Sequence, residues 1–195
     1  MSGALEALAG GETAIIATDT VYGLAALPAS RGYERIFQLK DRPQGQVLPW
    51  LVSGPHALDE YACDVPPYVS ALAGTFWPGA LTLVVRASAS ACALGGVAAD
   101  GTVALRCPAS GGCRALVDAL GLPLGCTSAN VHGQPAASNL EALDPSFACL
   151  PGYAELPASC PGGLASTIVD CRARMPRLLR EGPIAFSDVL TRSGW

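Results

Sequence analysis

Four cations and a scatter of hydroxyls stand where this chain could handle an anion. Lys40 and Arg42 lie two residues apart in Lys40-Asp41-Arg42-Pro43, and Lys40 is the sole lysine. Such a pair can clamp phosphate, the ammonium as a point charge and the guanidinium as a bidentate fork. Their spacing fits equally a plainer role, cations opposing the dipole at a helix C-terminus. Arg106 closes the apolar run Val103-Ala104-Leu105. A charge there is costly unless an anion meets it, either an internal Asp or Glu or a substrate carboxylate. Polar groups gather at similar places in Thr18-Asp19-Thr20-Val21-Tyr22-Gly23, in Thr127-Ser128-Ala129-Asn130, in Ser166-Thr167 and in Leu179-Arg180-Glu181-Gly182. Ser128 and Asn130 can donate hydrogen bonds to a phosphate or a base, or can simply shape an Asx or Ser turn. Polar residues at a strand end followed by glycine often line a cleft in an α/β fold, although a turn alone would account for Gly23.

Groups so far apart in the chain need strands and helices to bring them together. Leu5–Ala9 reads as a short helix ended by Gly10-Gly11, and Thr13–Ala17 as a strand. Arg31–Lys40 has near-helical apolar spacing and stops at Pro43. Val47–Val52, Leu81–Val85, Val103–Leu105, Leu122–Cys126, Thr167–Val169 and Arg177–Leu179 read as strands. Tyr68–Ala73 and Cys113–Leu120 read as helices, and Ser187 as the N-cap of a last one. Phe76-Trp77-Pro78-Gly79-Ala80-Leu81-Thr82 reads as a turn entering a strand, with Trp77 in the core. Pro145–Gly163 is rich in Pro, Gly and Ala and is expected to be an irregular surface connector or a mobile flap. Strands alternating with short helices predict an α/β fold with a mixed sheet.

The chain has 195 residues, 50% hydrophobic and 14% charged, with a net charge of −4. This predicts one domain over residues 1–195 with its own core. It excludes a coiled coil and an overall basic footprint for nucleic acid, but not a local basic pocket. Met1–Gly10 carries no basic region ahead of its apolar residues, and the longest uncharged window, Ala119–Leu140, holds two prolines and several polar groups. A cytoplasmic protein without a membrane span is expected. Eight cysteines include no C-x-x-C pair, and His56 and His132 lie in unrelated stretches. Small buried free thiols are expected rather than disulfides or zinc.

No single motif is specific: there is no phosphate-binding G-x-x-x-x-G-K-[ST] loop and no G-x-G-x-x-G. Taken in order, however, Thr18–Leu24, Lys40-x-Arg42-Pro43, Trp77-Pro78-Gly79-Ala80-Leu81-Thr82, Val103-Ala104-Leu105-Arg106-x-Pro108, Thr127-Ser128-Ala129-Asn130, Ser166-Thr167-Ile168-Val169 and Leu179-Arg180-x-Gly182 resemble the YrdC/Sua5 family of threonylcarbamoyl-AMP synthases in its short form. The resemblance runs through nearly the whole chain.

It implies a twisted mixed sheet with flanking helices around a deep cavity. It also implies condensation of L-threonine, bicarbonate or CO₂ and ATP, with Mg²⁺ carried by the ATP and no separate metal site. The products are threonylcarbamoyladenylate and pyrophosphate. A separate transferase complex then modifies adenosine 37 of tRNA. By the same resemblance Thr20, Tyr22, Arg106, Cys126 and Ser166 attend threonine. Lys40, Arg42, Gln46, Thr102, Ser128, Asn130 and Arg180 attend ATP, with Lys40 and Arg42 as catalytic cations on the triphosphate. Gln46, Leu51, His132 and Ala136 depart from the family pattern. Two alternatives are a diverged paralogue or a non-catalytic module with weak RNA binding. RNA binding would not require Thr20, Arg106 and Ser166. A carbamoyl-transfer domain like that of hydrogenase maturation proteins is a third, but such domains accompany zinc-finger-like cysteines absent from this sequence.

Overall fold

The structure, a computed structural model, describes residues 3–41, 47–131, 133–157, 159–160 and 162–195. Arg42, Gln46 and His132 fall outside them. The described strands form one nine-stranded sheet.

Strand β1 (Ala14–Ala17) and strand β2 (Tyr22–Ala26) make an antiparallel hairpin. Its turn is tied by Thr18, whose hydroxyl donates to the Val21 carbonyl at 2.6 Å and accepts from the Thr20 and Val21 amides. A threonine that replaces missing backbone partners in this way favours a turn over further strand. The polar stretch after β1 is therefore both the turn and the start of β2, a strand the sequence reading did not anticipate.

After a first helix, α1 (Gly3–Ala9), helix α2 (Arg31–Leu39) starts where the Ser30 hydroxyl accepts from the Tyr33 amide and buries Tyr33, Ile36 and Phe37 on one face. The expected strand over Val47–Val52 shrinks to β3 (Trp50–Leu51). Pro49 accounts for this, since it has no amide to give a ladder. A helix over Ala57–Tyr61 and a two-residue strand, Ala62–Cys63, follow. The next helix runs from Pro67 to Phe76, longer at both ends than expected. Trp77 is buried as predicted, its indole donating to the Leu81 carbonyl.

Strand β5 (Leu81–Ala87), counting Ala62–Cys63 as β4, is central; beyond it come a short helix (Ala89–Leu94) and β6 (Thr102–Arg106). The helix Gly111–Leu120 ends at Gly121, whose φ of 63° is a left-handed cap. It leads to β7 (Leu124–Ser128). Among its described residues, Pro145–Gly163 contains two single 3₁₀ turns, Pro145–Phe147 and Tyr153–Glu155. Strands β8 (Thr167–Asp170) and β9 (Arg177–Arg180) precede the last helix, Phe186–Ser193. Ala185, not Ser187, sits at its N-cap, and no side chain caps it. Pro183 and the Thr167 contact at Ile184 fix where the chain turns, so the helix begins one residue before the predicted cap.

The order β1-β2-β7-β3-β6-β5-β8-β9 joins antiparallel neighbours except at β3/β6 and β5/β8, which are parallel. The sheet is therefore mixed. Alternation splits β5 between two faces. Leu81, Leu83 and Val85 pack with Trp50, Val103, Leu105 and Val169 under the helices Pro67–Phe76 and Phe186–Ser193. Thr82 and Val84 point the other way, in register with Ile168 and Ala104. That second face is the floor of a hollow. Among the described residues no helix is long and apolar enough to cross a membrane.

Candidate ligand pocket

A cavity of about 280 Å³ lies over this face. Its floor is Val84, Ala104 and Ile168; Leu51 and Pro49 form one side. Thr20, Tyr22, Arg106, Cys126, Ser128, Ser166 and Arg180, all expected at the site, line it together. They come from the β1–β2 turn, from β2, β6, β7 and β9, and from the residue just ahead of β8, so the sheet order makes them neighbours.

Arg106 is 6% exposed at the end of β6. Its partner is internal: Asp19, with Nη2 to Oδ1 at 2.7 Å. Nη1 donates to the Thr20 hydroxyl at 3.0 Å, and Nε donates to the Gly79 carbonyl at 3.0 Å. Asp19 thus offsets the burial cost that the sequence left open between an internal acid and a substrate. Thr18 has spent its one hydroxyl proton on Val21, so in the 2.8 Å contact between the two hydroxyls Thr20 donates. Thr20 accepts from Arg106 and keeps one lone pair for a ligand donor.

Arg180 lies across the pocket. Its Nε and Nη2 donate to the Ser166 carbonyl at 3.0 and 2.8 Å, and Nη2 also reaches the Ser166 hydroxyl at 3.3 Å. Burial, then the neighbouring Arg106 charge, pull its pKa below the ordinary arginine value. Its bonds run to neutral oxygens, so its positive charge is available to an anion in the cavity. Thr82 ends the Trp77–Thr82 run of the family resemblance and is not among the site residues that the resemblance implies. It is fully buried and its hydroxyl lies 2.8 Å from that of Ser166.

Lys40 is 3% exposed at the end of α2 and does not line this cavity. Its ammonium reaches the Ser128 carbonyl at 2.5 Å, the Asn130 carbonyl at 2.7 Å and the Asn130 side-chain oxygen at 2.9 Å. It braces the turn after β7. The Ser128 hydroxyl donates to the same Asn130 oxygen at 2.5 Å, and the Asn130 amide donates to the Val131 and Gln134 carbonyls. Asn130 itself faces a neighbouring hollow with Val131, Gln134 and Ala136. Thr102 sits beyond Ala104 on β6, bonds to Asp100 at 2.6 Å and is not in the lining. Asn130 and Thr102 thus do not join the expected site in this geometry: one is turned inward by Lys40, the other drawn off by Asp100.

Tyr22 is buried and donates its hydroxyl to the Pro157 carbonyl at 2.5 Å, tying the Pro145–Gly163 segment to the pocket wall. Burial chiefly, with Cys160 and Tyr153 nearby, pushes its phenol up. The Cys126 thiol is pushed up to about 12, first by burial and then by Cys113. It is a neutral packing group at neutral pH rather than a nucleophile. All eight cysteines are free; Cys63, Cys92 and Cys149 are exposed, against the expectation of burial. Their positions at a two-residue strand, a short helix and a loop leave them outside the core.

Residues 6–182 match the family model Sua5/YciO/YrdC, described as telomere recombination. A protein of Mycobacterium leprae, provisionally named a threonylcarbamoyl-AMP synthase, is 35% identical over 192 residues, covering 97% of this chain and 86% of its own. The threonylcarbamoyl-AMP synthase of Bacillus subtilis is 31% identical over 91% of this chain. A crystal structure of Sua5 from P. abyssi complexed with L-threonine superposes with a TM-score of 0.82 and 28% identity over 97% of this chain. The chain spans about half the length of the latter two, 52% and 56%.

Proposed function

The chain belongs to the Sua5/YciO/YrdC family, and from that premise we propose that it makes L-threonylcarbamoyladenylate from L-threonine, bicarbonate or CO₂ and ATP. The observation that carries this is the convergence of Arg106, Arg180, Thr20 and Ser166 on one cavity with an apolar floor. An amino acid needs that combination: a cation and hydroxyl donors for its carboxylate, an acceptor for its amine or hydroxyl, and a wall for its methyl group.

The chemistry asks for positioning more than proton transfer. The amine of threonine adds to CO₂ and gives a carbamate, losing a proton. A carbamate oxygen attacks the α-phosphorus of ATP, and the bond to pyrophosphate breaks. Negative charge builds on the phosphoryl and leaving oxygens, so fixed cations lower the barrier. Arg180 supplies that field here, with the Asp19-paired Arg106 beside it, and Arg42 and Gln46, outside the described residues, are assigned to ATP by the family resemblance. Mg²⁺ arrives with ATP as part of the substrate. Lys40 acts on ATP through the Ser128–Asn130 turn that it braces. Keeping water from the pocket also protects the labile mixed anhydride. The product passes to a separate transferase that modifies adenosine in tRNA.

The test is pyrophosphate release from ATP, Mg²⁺ and bicarbonate with threonine, with serine or with no amino acid. Release that depends on threonine supports the reading; equal release in all three contradicts it.

A further inference from the structure

Two buried hydroxyls in the pocket share a proton whose direction can be worked out. The oxygens of Thr82 and Ser166 are 2.8 Å apart, so one donates to the other. Suppose Ser166 donates. The Thr82 proton is then left over on a side chain that borders the cavity but is 0% exposed and that, apart from Ser166, has no hydrogen-bond partner among the described residues. A buried donor left unpaired is costly. If Thr82 donates instead, Ser166 accepts from Thr82 and from Arg180 Nη2, at 3.3 Å. Both lone pairs of Ser166 are then filled, and its own proton can point only into the cavity.

We infer that Thr82 is a positioning residue that fixes Ser166 as a dedicated hydrogen-bond donor to a substrate carboxylate oxygen. The inference rests on the threonine-dependent reading given above. The fold supports the geometry, because Thr82 pairs with Ile168 across β5 and β8, two residues on from Ser166 on the same face. Arg180 pairs with Ile168 from the other side, and its double bond to the Ser166 carbonyl holds that backbone still. The Ser166 hydroxyl is thereby polarised by a guanidinium and aimed by a hydroxyl. Thr20, by contrast, is left as an acceptor. The two ends of an amino acid meet groups of opposite hydrogen-bonding sense.

The experiment uses Thr82→Val, Thr82→Ala and Thr82→Ser, with calorimetric titration of L-threonine and steady-state pyrophosphate release. Losing one aimed hydrogen bond corresponds to about a tenfold change. Thr82→Val and Thr82→Ala should weaken threonine binding and raise its KM about tenfold, with the KM for ATP within about twofold of wild type. Thr82→Ser restores the hydroxyl and should return the threonine KM to near the wild-type value. The Ala and Ser variants both lack the methyl group, so their difference isolates the hydroxyl even if Thr82→Val folds poorly. Equal threonine affinity in Ala and Ser variants overturns the inference, as does a parallel loss of ATP affinity. A wild-type protein that binds no threonine overturns the functional reading itself, and this inference with it.

Discussion

The guanidinium of Arg106 meets the carboxylate of Asp19 at 2.7 Å, with both side chains nearly shut off from solvent, at 7% and 12% exposure. The pair sits where the β1–β2 turn passes over the end of β6, and it fixes the direction in which Arg106 faces the cavity. Asp19 is thus a support of the site rather than a spare acid.

Removing one partner of a buried pair strands the other charge, at about 3–5 kcal/mol. Asp19→Ala should lower unfolding stability by that order in urea titration, and Asp19→Asn by less, since Asn keeps an acceptor. Arg106→Ala should weaken threonine use more than ATP use in the pyrophosphate assay. The opposite order would show that Arg106 serves the nucleotide.

Lys40 holds three oxygens of the Ser128–Asn130 turn. Hydrogen bonds to a charged group are worth about 1.5–3 kcal/mol each, and losing them together exposes the turn to rearrangement. Lys40→Met is expected to lose about 3 kcal/mol of stability and to raise the KM for ATP through the displaced Ser128. Amide exchange should quicken at residues 128–131. Loss of turnover with unchanged stability and unchanged exchange would instead place Lys40 directly on the phosphates.

Much of this arrangement could be read from the residues in order, and some could not. Arg106 announced itself, because a charge at the end of an apolar strand needs a partner. Its identity was hidden, since Asp19 lies far away in the chain and only the sheet order brings them together. Lys40 and Arg42 look alike in sequence. Burial separates Lys40 from the cavity, and no local pattern encodes that its ammonium reaches across to the turn after β7. Thr82 did carry a signal: a hydroxyl at an alternate position in Leu81-Thr82-Leu83, which has to face away from the core. Strand β2 carries little signal because its Tyr-Gly-Leu-Ala-Ala sequence has three small residues and a buried tyrosine, with no polar alternation. The helix Ala89–Leu94 was missed for lack of any amphipathic period in Ala-Ser-Ala-Cys-Ala-Leu.

Gly23 makes room for Cys126. A Cβ added at Gly23 would lie 2.6 Å from the Cys126 sulfur. Overpacking of this kind costs about 1–3 kcal/mol. Gly23→Ala should be destabilising alone, and Cys126→Ala should relieve most of that cost in the double variant. A thermodynamic cycle from urea unfolding gives the coupling. Strict additivity would mean that the sulfur moves aside freely.

At the far end of the sheet Asp170 accepts from Arg172 and, at 3.1 Å, from Arg177. The hydrogen bonds from Arg172, opposed by burial, hold its carboxyl down to about 2. The folded pKa is below the unfolded one. The stabilisation is therefore complete above about pH 4 and is lost as pH falls towards 2. The Tm difference between wild type and Asp170→Asn should be largest near neutral pH and shrink as the pH drops below about 4. A difference independent of pH would remove Asp170 from the acid response.

The proposed reaction leaves a carbon mark in its product. Incubation with ATP, Mg²⁺, L-threonine and ¹³C-bicarbonate, followed at once by mass spectrometry, should show a threonylcarbamoyladenylate that carries the label, in step with pyrophosphate released. Pyrophosphate formed without a labelled adenylate, or an adenylate formed equally well without threonine, would contradict the account.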